Sequence, residues 1–425
     1  MNSSAPRLEE RLDSSNPEQL STRRFPREGV WWLVIVAGLL AYFLVMRTAS
    51  PIGDEKEHVP QISRFLNWRF TARPGLGMLP VYHFLVFLGV TAMDGRYLHD
   101  VRLVSFLGAV LCVPAFYVLA RKLYERPVAT LRTVQFTFLP IVFYLFPLVY
   151  TDLWALLPVL LTVKAALDDR PNLSCVLGIT ATIVRQTNIV WAGFAWLLFL
   201  FASGEPISKQ LVKSWLRRTK WFVVFFDAFL AFLLANGGVA IGLGARQSLT
   251  VGFSVANIWF FFLLCSGFLL PLWYIWSRDA VGAIRRRPQV ALSCLVVLLP
   301  IIYFTYQATH IFNSALYSFH LRNRLLAIST HGGPRIIATG FIAWGVCGVL
   351  LTKFSEKRFA LILPIGLAAI YLMPFIEQRY YIELLVLYIA LRKPVSLSSE
   401  TMLAVLFIVI TAALTSGMVN GMFLL

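Results

Sequence analysis

The stretch from Gly53 to Gln61 contains the residues of this chain best suited to proton transfer. It follows directly on a long apolar run, so it begins at the edge of an apolar environment. A carboxylate in such a place stays ionised while partly shielded, as a general base for a hydroxyl requires. If the stretch is helical, Asp54 and His58 share one face. A charged segment that merely ends the preceding helix is the other interpretation.

Two arginines that interrupt apolar runs are candidates for binding phosphate. Arg185 is accompanied by Gln186 and Asn188, and Arg379 is followed by Tyr380. An arginine at a membrane boundary is costly to bury unless it is paired, and its guanidinium suits bidentate contacts to phosphate. Polar turns with a snorkelling arginine and interfacial tyrosines are the alternative.

Further polar residues at the ends of apolar runs are weaker candidates. Asp152 fits a functional role and a position near a helix N-cap equally well. Asn236, before two glycines, could simply end a helix. His310 and Arg324 belong to a cationic loop that could hold an anionic or sugar headgroup or could be only solvated. Glu377 lies two positions before the second arginine, so the two would not face each other on a helix.

The composition indicates that membrane helices position these residues. Hydrophobic residues make up 58% of the 425 and charged residues only 14%, whereas soluble domains carry about 25% charge. Such a chain must turn its surplus apolar surface to lipid. We predict an all-α polytopic membrane protein with about 12–13 transmembrane helices, counted from apolar runs that include one at 133–150. Residues 1–30 would be a disordered basic cytoplasmic arm, and residues 31–425 a single membrane domain.

The distribution of Lys and Arg predicts the orientation of the chain. The net charge is +17, and the basic residues concentrate in short loops, as the positive-inside rule expects. We therefore expect a lipid bilayer and no nucleic acid as partner. The strongly basic loops share one side only if the run 79–92 does not cross the membrane. Residues from about 49 to 100 then form a long non-cytoplasmic loop with interfacial helices, on the face that carries the candidate residues.

Metal and proton-coupled chemistry are not indicated. The five cysteines are scattered singly, and the sequence has no CxxC motif or His/Cys cluster, so neither a zinc site nor a disulfide framework is predicted. The apolar runs contain no row of ionisable residues at mid-depth, which argues against a proton-coupled transporter.

Taken in order, the polar motifs resemble a known family. The strongest pieces are Asp-Glu-x-x-His-x-Pro-Gln at 54–61 and Arg-Gln-Thr-Asn at 185–188. The others are Pro74-Gly75-Leu76, Tyr150-Thr151, Asn236-Gly237-Gly238, Ile241-Gly242, Glu377, Arg379 and Tyr380. The series runs through most of the membrane region. It resembles the dolichyl-phosphate-glucose-dependent alpha-1,2-glucosyltransferases, and a bacterial relative of them would share it.

The resemblance implies an inverting transferase that moves a sugar, expected to be glucose, from a polyprenyl (dolichyl) phosphate to a hydroxyl of a lipid-linked oligosaccharide or other glycan. Asp54 would be the base, with Glu55 as the close alternative. The donor phosphate or sugar would be bound by His58, Gln61, Arg185, Gln186, Asn188, Arg379 and Tyr380. The scheme requires no metal or other cofactor. The site would face the lumen of the endoplasmic reticulum in a eukaryote and the periplasm in a bacterium.

The chain departs from the family pattern in three places. Thr71-Ala72-Arg73 stands where Trp-Asp-Pro is expected, residues 313–317 lack the expected Asp-Asn-Arg-His-Tyr, and residues 243–245 lack expected polar side chains. These departures leave the donor sugar and the acceptor open. A polyprenyl-lipid or sugar transporter without transferase activity is the alternative function.

Overall fold

The computed structural model describes residues 28–242, 252–313 and 321–423. These ranges are helical apart from turns, short irregular segments and one isolated antiparallel bridge. Within them, five helices are long and apolar enough to cross a membrane, or seven if two bent pairs each form one span. The prediction of an all-α polytopic membrane protein is confirmed. The larger number of crossings stays a prediction, and residues 1–27 of the predicted arm lie outside the described ranges.

The described residues up to 242 form twelve helices. They are α1 (Glu28–Met46), α2 (Glu55–Leu66), α3 (Val81–Ala92), α4 (Leu98–Val110), α5 (Cys112–Leu123), α6 (Arg126–Thr137), α7 (Pro140–Phe143), α8 (Thr151–Leu167), α9 (Pro171–Val184), α10 (Ile189–Leu200), α11 (Lys209–Arg218) and α12 (Lys220–Asn236).

The described residues from 252 onward continue the bundle. Their helices are α13 (Val255–Phe268), α14 (Trp273–Arg286), α15 (Pro288–Thr305), α16 (Leu321–Thr330), α17 (Gly332–Leu351), α18 (Ile362–Tyr371), α19 (Ile382–Leu391) and α20 (Leu397–Val419). Short 3₁₀ turns at Gln186–Asn188 and Gln378–Tyr381 lead into α10 and α19.

The segment between α1 and α4 has the form expected of the first long loop. It contains only the two short helices α2 and α3. With twelve residues, α3 is about 18 Å long, whereas the hydrocarbon core of a bilayer is about 30 Å thick. Other helices of the bundle, such as the twelve-residue α10, are equally short, so the non-crossing position of the run 79–92 stays a prediction.

The apolar run 133–150 does not form the continuous span that the sequence suggests. Helix α6 ends at Thr137, Pro140 begins the four-residue α7, and turns lead from there to Tyr150. Proline lacks the N–H that a helix interior needs, and its ring clashes with the preceding turn. Every residue of this run is buried. Irregular backbone is tolerated at membrane depth in this situation, because protein rather than lipid surrounds it.

Helix α19 lies at the centre of the bundle. Each of its residues from Ile382 to Leu391 is buried, and it packs against α5, α6, α8 and α18. Apart from Glu383, its residues are apolar or aromatic, as expected of a helix in such an interior. By contrast, α12 and α15 each have a single buried residue, Phe222 and Ile302, as expected of lipid-facing helices. The turn Gln378–Tyr381, which contains Arg379, leads directly into α19. The buried position of α19 therefore fixes the position of Arg379.

Candidate active site

Asp54 and Arg379 meet at the start of α2. One carboxylate oxygen of Asp54, Oδ2, lies 2.7 Å from Arg379 Nη2, and the Asp54 side chain is 50% exposed. Tyr150 supports both residues: its hydroxyl accepts a hydrogen bond of 2.8 Å from the Asp54 backbone N–H, and its ring lies 5.1 Å beneath the guanidinium. The structure therefore brings the predicted base and one predicted phosphate ligand into direct contact.

The turn before α2 requires a glycine. Gly53 has a φ of +54°, and a Cβ at this position would lie 2.3 Å from the Tyr150 hydroxyl oxygen. Side chains of L-residues rarely adopt this backbone conformation. The close approach lets Tyr150 bond to the Asp54 backbone, so this glycine positions the carboxylate.

Asp152 links the two arginines that the sequence singled out. It is buried in the first turn of α8, where the helix dipole favours a negative charge. Its Oδ1 lies 2.5 Å from Arg185 Nη1, and its Oδ2 lies 3.7 Å from Arg379 Nη1. Glu377 accepts a 2.8 Å hydrogen bond from Arg379 Nε, and Glu383 lies 3.8 Å from Arg185 Nη1. Both guanidiniums are thus held by buried carboxylates.

Exposure distinguishes Asp54 from the other carboxylates around the arginines. The side chains of Asp152, Glu377 and Glu383 are 2 to 7% exposed. Buried ion pairs are costly to break, whereas a half-exposed carboxylate can exchange its partner for water or a ligand. Asp54 is therefore the carboxylate of this group that can move.

Glu55, the alternative base, points into the protein and is fully buried. It forms a bidentate pair with Arg102, with Oε1 to Nε 3.0 Å and Oε2 to Nη2 2.5 Å. It also accepts backbone hydrogen bonds from Val149 and Ile52, each 2.9 Å long. Arg102 in turn donates to the carbonyl of Met46 at the end of α1. These contacts favour a structural role for Glu55 over proton transfer with a substrate.

His58 and Gln61 lie on the inner face of α2. His58 Nδ1 is 2.9 Å from His83 Nε2, and both side chains are buried. Burial lowers the pKa of both histidines, that of His83 to about 2, so both are neutral. The Gln61 amide donates to the carbonyl of Thr71 and accepts from the N–H of Arg73. The contact between the two histidines holds α3 against α2. The hydrogen bonds of Gln61 hold the 71–73 segment against α2.

The polar turn before α10 is anchored mainly by side-chain contacts to backbone. Gln186 donates to the carbonyl of Val239 at 3.4 Å, and Asn188 donates to that of Ala155 at 3.3 Å. The buried Asn188 Oδ1 has no hydrogen-bond partner among the described residues. Asn236 donates to two carbonyls in the turn that follows α12, which stabilises that turn.

Two motifs that are far apart in the chain meet through their backbones. The N–H groups of Ile241 and Gly242 donate to the carbonyls of Gly77 and Leu76, at 3.2 and 3.1 Å. A Cβ on Gly242 would lie 2.3 Å from the carbonyl oxygen of Pro74. This close approach explains why position 242 is a glycine.

The remaining predicted residues are Tyr380, His310 and Arg324. Tyr380 is half-buried, with its ring 5.5 Å from that of Phe375, and His310 lies 5.2 Å from the same ring. Arg324 is exposed on α16. His310 thus packs beside the segment that carries Arg379. Among the described residues, no group of three or more His, Cys, Asp or Glu side chains is arranged to hold a metal ion.

The sequence model of the DIE2/ALG10 family matches residues 48–210 and 198–390. The two matched ranges include every member of the ion-pair network around Asp54 and Arg379.

The chain belongs to the DIE2/ALG10 family.

Relatives of this DIE2/ALG10 member carry the name Dol-P-Glc:Glc(2)Man(9)GlcNAc(2)-PP-Dol alpha-1,2-glucosyltransferase. The one from Mus musculus is 24% identical over 403 residues, which is 80% of this chain and 83% of the relative. The one from Arabidopsis thaliana is 24% identical over 440 residues, 78% of this chain and 84% of the relative. The one from Yarrowia lipolytica is 23% identical over 340 residues, 69% of this chain, and the match spans 64% of that relative's length. No solved structure matches this chain.

Sequence reasoning missed the roles of three side chains that build the site of this DIE2/ALG10 member. Arg102 and Glu383 each lie in an apolar run, and an ionisable residue in such a run signals that a buried partner exists. Tyr150 belonged to one of the motifs but was given no role in the site. All three place or pair the groups that the motifs did identify.

Proposed function

We propose that this DIE2/ALG10 member is a membrane glycosyltransferase that uses a polyprenyl-phosphate sugar as donor. The observation that carries the proposal is the half-exposed Asp54 carboxylate, near the start of the long first loop, paired with Arg379. A general base and a phosphate ligand must both be within reach of the reacting sugar, and these two groups are already in contact. The names of the relatives agree with this class of enzyme.

In the proposed reaction, Asp54 accepts the proton of the acceptor hydroxyl. The hydroxyl oxygen forms a new bond to the anomeric carbon of the donor sugar. The bond between that carbon and the phosphate oxygen breaks, and the polyprenyl phosphate leaves with the electron pair. A single displacement of this kind inverts the anomeric configuration. No further reactant is needed to balance the step.

The guanidinium of Arg379 would take up the charge that develops on the leaving phosphate. Glu377 and Tyr150 hold Arg379 in place independently of Asp54. A donor phosphate can therefore replace Asp54 on Nη2 without displacing the arginine. We infer that donor binding releases the Asp54 carboxylate, so that the base becomes free only when the donor is present. Arg185, joined to Arg379 through Asp152, is the second phosphate ligand.

The names of the relatives support a proposal for the donor sugar and the acceptor. We propose glucose on a dolichyl or related polyprenyl phosphate, and a lipid-linked oligosaccharide or other glycan as acceptor, joined by an alpha-1,2 bond. We also propose that the site faces the lumen of the endoplasmic reticulum in a eukaryotic cell, or the periplasm in a bacterium. A bilayer-embedded donor requires a site at the membrane edge, which agrees with a base directly after α1.

The deciding experiment supplies the purified full chain with polyprenyl-phosphate glucose, mannose or arabinose and a glycan acceptor, and analyses the products. We expect transfer from the glucose donor. Arg379→Lys should raise the KM for the donor by about ten- to hundredfold, because a charged hydrogen bond contributes about 1.5–3 kcal/mol and Lys cannot form the bidentate contact.

Arg285→Lys, a change at an exposed arginine of α14, is the matched control and should leave the KM unchanged. Absence of transfer from all three donors, together with movement of a polyprenyl lipid across the bilayer, would favour the transporter alternative over the enzyme.

A further inference from the structure

We propose a second binding site at the opposite end of α19, for the phosphate group of an anionic phospholipid. A cavity of about 210 Å³ lies there between α14, the end of α17 and the segment that follows α19. Its charged lining residues are Arg278, Asp279, Lys353, Arg392 and Lys393. This site does not depend on the proposed transferase activity, because it shares no residue with the network around Asp54.

The inner end of the cavity carries a buried excess of positive charge. Arg392 is fully buried and pairs with Glu400, with Nη1 to Oε1 2.8 Å and Nη2 to Oε2 2.6 Å. Arg132 is buried against the same carboxylate, with its Nε 3.1 Å from Oε2. Two guanidiniums thus share one carboxylate. Arg392 Nε has no hydrogen-bond partner among the described residues. A buried N–H donor of this kind is unusual unless a ligand or water accepts its hydrogen bond.

The rim of the cavity adds cations that are free to bind. The Lys393 N–H donates to the Lys353 carbonyl at 2.8 Å, which holds the two lysines on neighbouring strands of backbone. Both side chains are exposed, and within the described ranges neither ammonium has an ion pair. Arg278 is exposed beside Asp279, 3.7 Å away, the one acidic residue of the lining. The rim is therefore net positive.

The walls of the cavity are apolar, as the glycerol end of a lipid requires. Leu272 and Trp276 are buried in the wall, and Leu351 and Val395 complete it. The volume is below the roughly 300–1,000 Å³ of pockets that enclose a drug-sized molecule. It suits a phosphate headgroup with the acyl chains remaining in the bilayer.

The position of this cavity argues for a phospholipid as the source of the phosphate. The cavity lies at the end of the bundle where basic segments cluster, including the last turn of α14 with Arg285 and Arg286. By the positive-inside rule this is the cytoplasmic face. Anionic phospholipids concentrate in the cytoplasmic leaflet, and basic pockets between helices bind their headgroups.

The test measures binding to the purified full chain in detergent by native mass spectrometry and by the melting temperature. The probes are phosphatidylglycerol, phosphatidylcholine and inorganic phosphate. The variant is Lys353→Gln with Lys393→Gln. The matched control is Lys209→Gln with Lys213→Gln, two exposed lysines on α11. Each lysine near an anionic surface contributes about 1 kcal/mol to the free energy of binding. The variant lacks two such lysines, so it should bind phosphatidylglycerol about 30-fold more weakly.

We expect the wild type and the control to bind and be stabilised by phosphatidylglycerol, and not by phosphatidylcholine. Equal melting temperatures of variant and wild type without lipid would establish that the variant folds. Undiminished phosphatidylglycerol binding by the variant would overturn the site. Stabilisation by inorganic phosphate equal to that by phosphatidylglycerol would overturn the assignment of a lipid as its occupant.

Discussion

Asp54→Asn should abolish sugar transfer while the protein still folds. The carboxylate is half exposed and its ion pair with Arg379 is partly solvated, so removing the charge should cost only about 0–1 kcal/mol of stability. Loss of a general base lowers the rate by about 10²–10⁴-fold. The expected result is therefore a large fall in kcat with a nearly unchanged melting temperature.

The neighbouring substitution Glu55→Gln should lower stability more than activity, the reverse of Asp54→Asn. Glu55 is fully buried, binds Arg102 through both oxygens and accepts two backbone N–H groups. An amide cannot neutralise Arg102 and would leave that charge buried without a counterion. Removing one partner of a buried ion pair costs about 3–5 kcal/mol. The melting temperature should fall clearly, and any protein that remains folded should retain part of its transfer activity.

Two measurements on each variant separate these effects: the transfer rate from polyprenyl-phosphate glucose, and thermal unfolding in detergent. Glu57→Gln is the matched control, because this carboxylate lies in the same turn of α2 and is 58% exposed in its 3.1 Å pair with Arg73. It should change neither quantity much. Full activity of Asp54→Asn would remove Asp54 from the mechanism. Normal unfolding of Glu55→Gln with lost activity would assign the base to Glu55 instead.

Three further perturbations test the surroundings of the site. Gly53→Ala should lower both stability, by about 1–3 kcal/mol, and kcat, because its φ is +54° and the new Cβ would meet Tyr150; unchanged kinetics would refute the positioning role. Asp152→Asn should raise the donor KM and lower the melting temperature, since both guanidiniums lose a shared carboxylate; a normal KM would argue against phosphate binding there. Burial holds the pKa of His58 and His83 below the ordinary value of about 6.5, so the unfolded chain binds more protons in mild acid. The histidine contribution to stability should fall below about pH 6.5, so His83→Gln should lose less stability on acidification than the wild type, and identical pH profiles of the two proteins would contradict the neutral pair.

The class of fold could be predicted because it follows from composition and local order. Apolar runs without charge must satisfy their backbone groups internally in lipid, which requires helices. The short length of the run 79–92 and the positions of the basic loops indicate an interfacial helix, which stays a prediction; the structure shows a twelve-residue helix, α3, in this run. The run 133–150 was misjudged because hydrophobicity alone does not separate a lipid-spanning helix from a broken segment buried in protein; Pro140 was the available signal.

The polar motifs along the chain included most members of the ion-pair network around Asp54 and Arg379. The sequence could not tell which side chains touch, because Asp54, Asp152, Arg185 and Arg379 approach one another only when α2, α8, α10 and α19 are packed. Nor could it separate the two adjacent acids. Successive residues at a helix start point about 100° apart, so the carboxylate of Asp54 faces water while that of Glu55 turns inward to Arg102. The packing of α4 against this turn, and not the letters Asp-Glu, leaves the Asp54 carboxylate half exposed and buries that of Glu55 against Arg102.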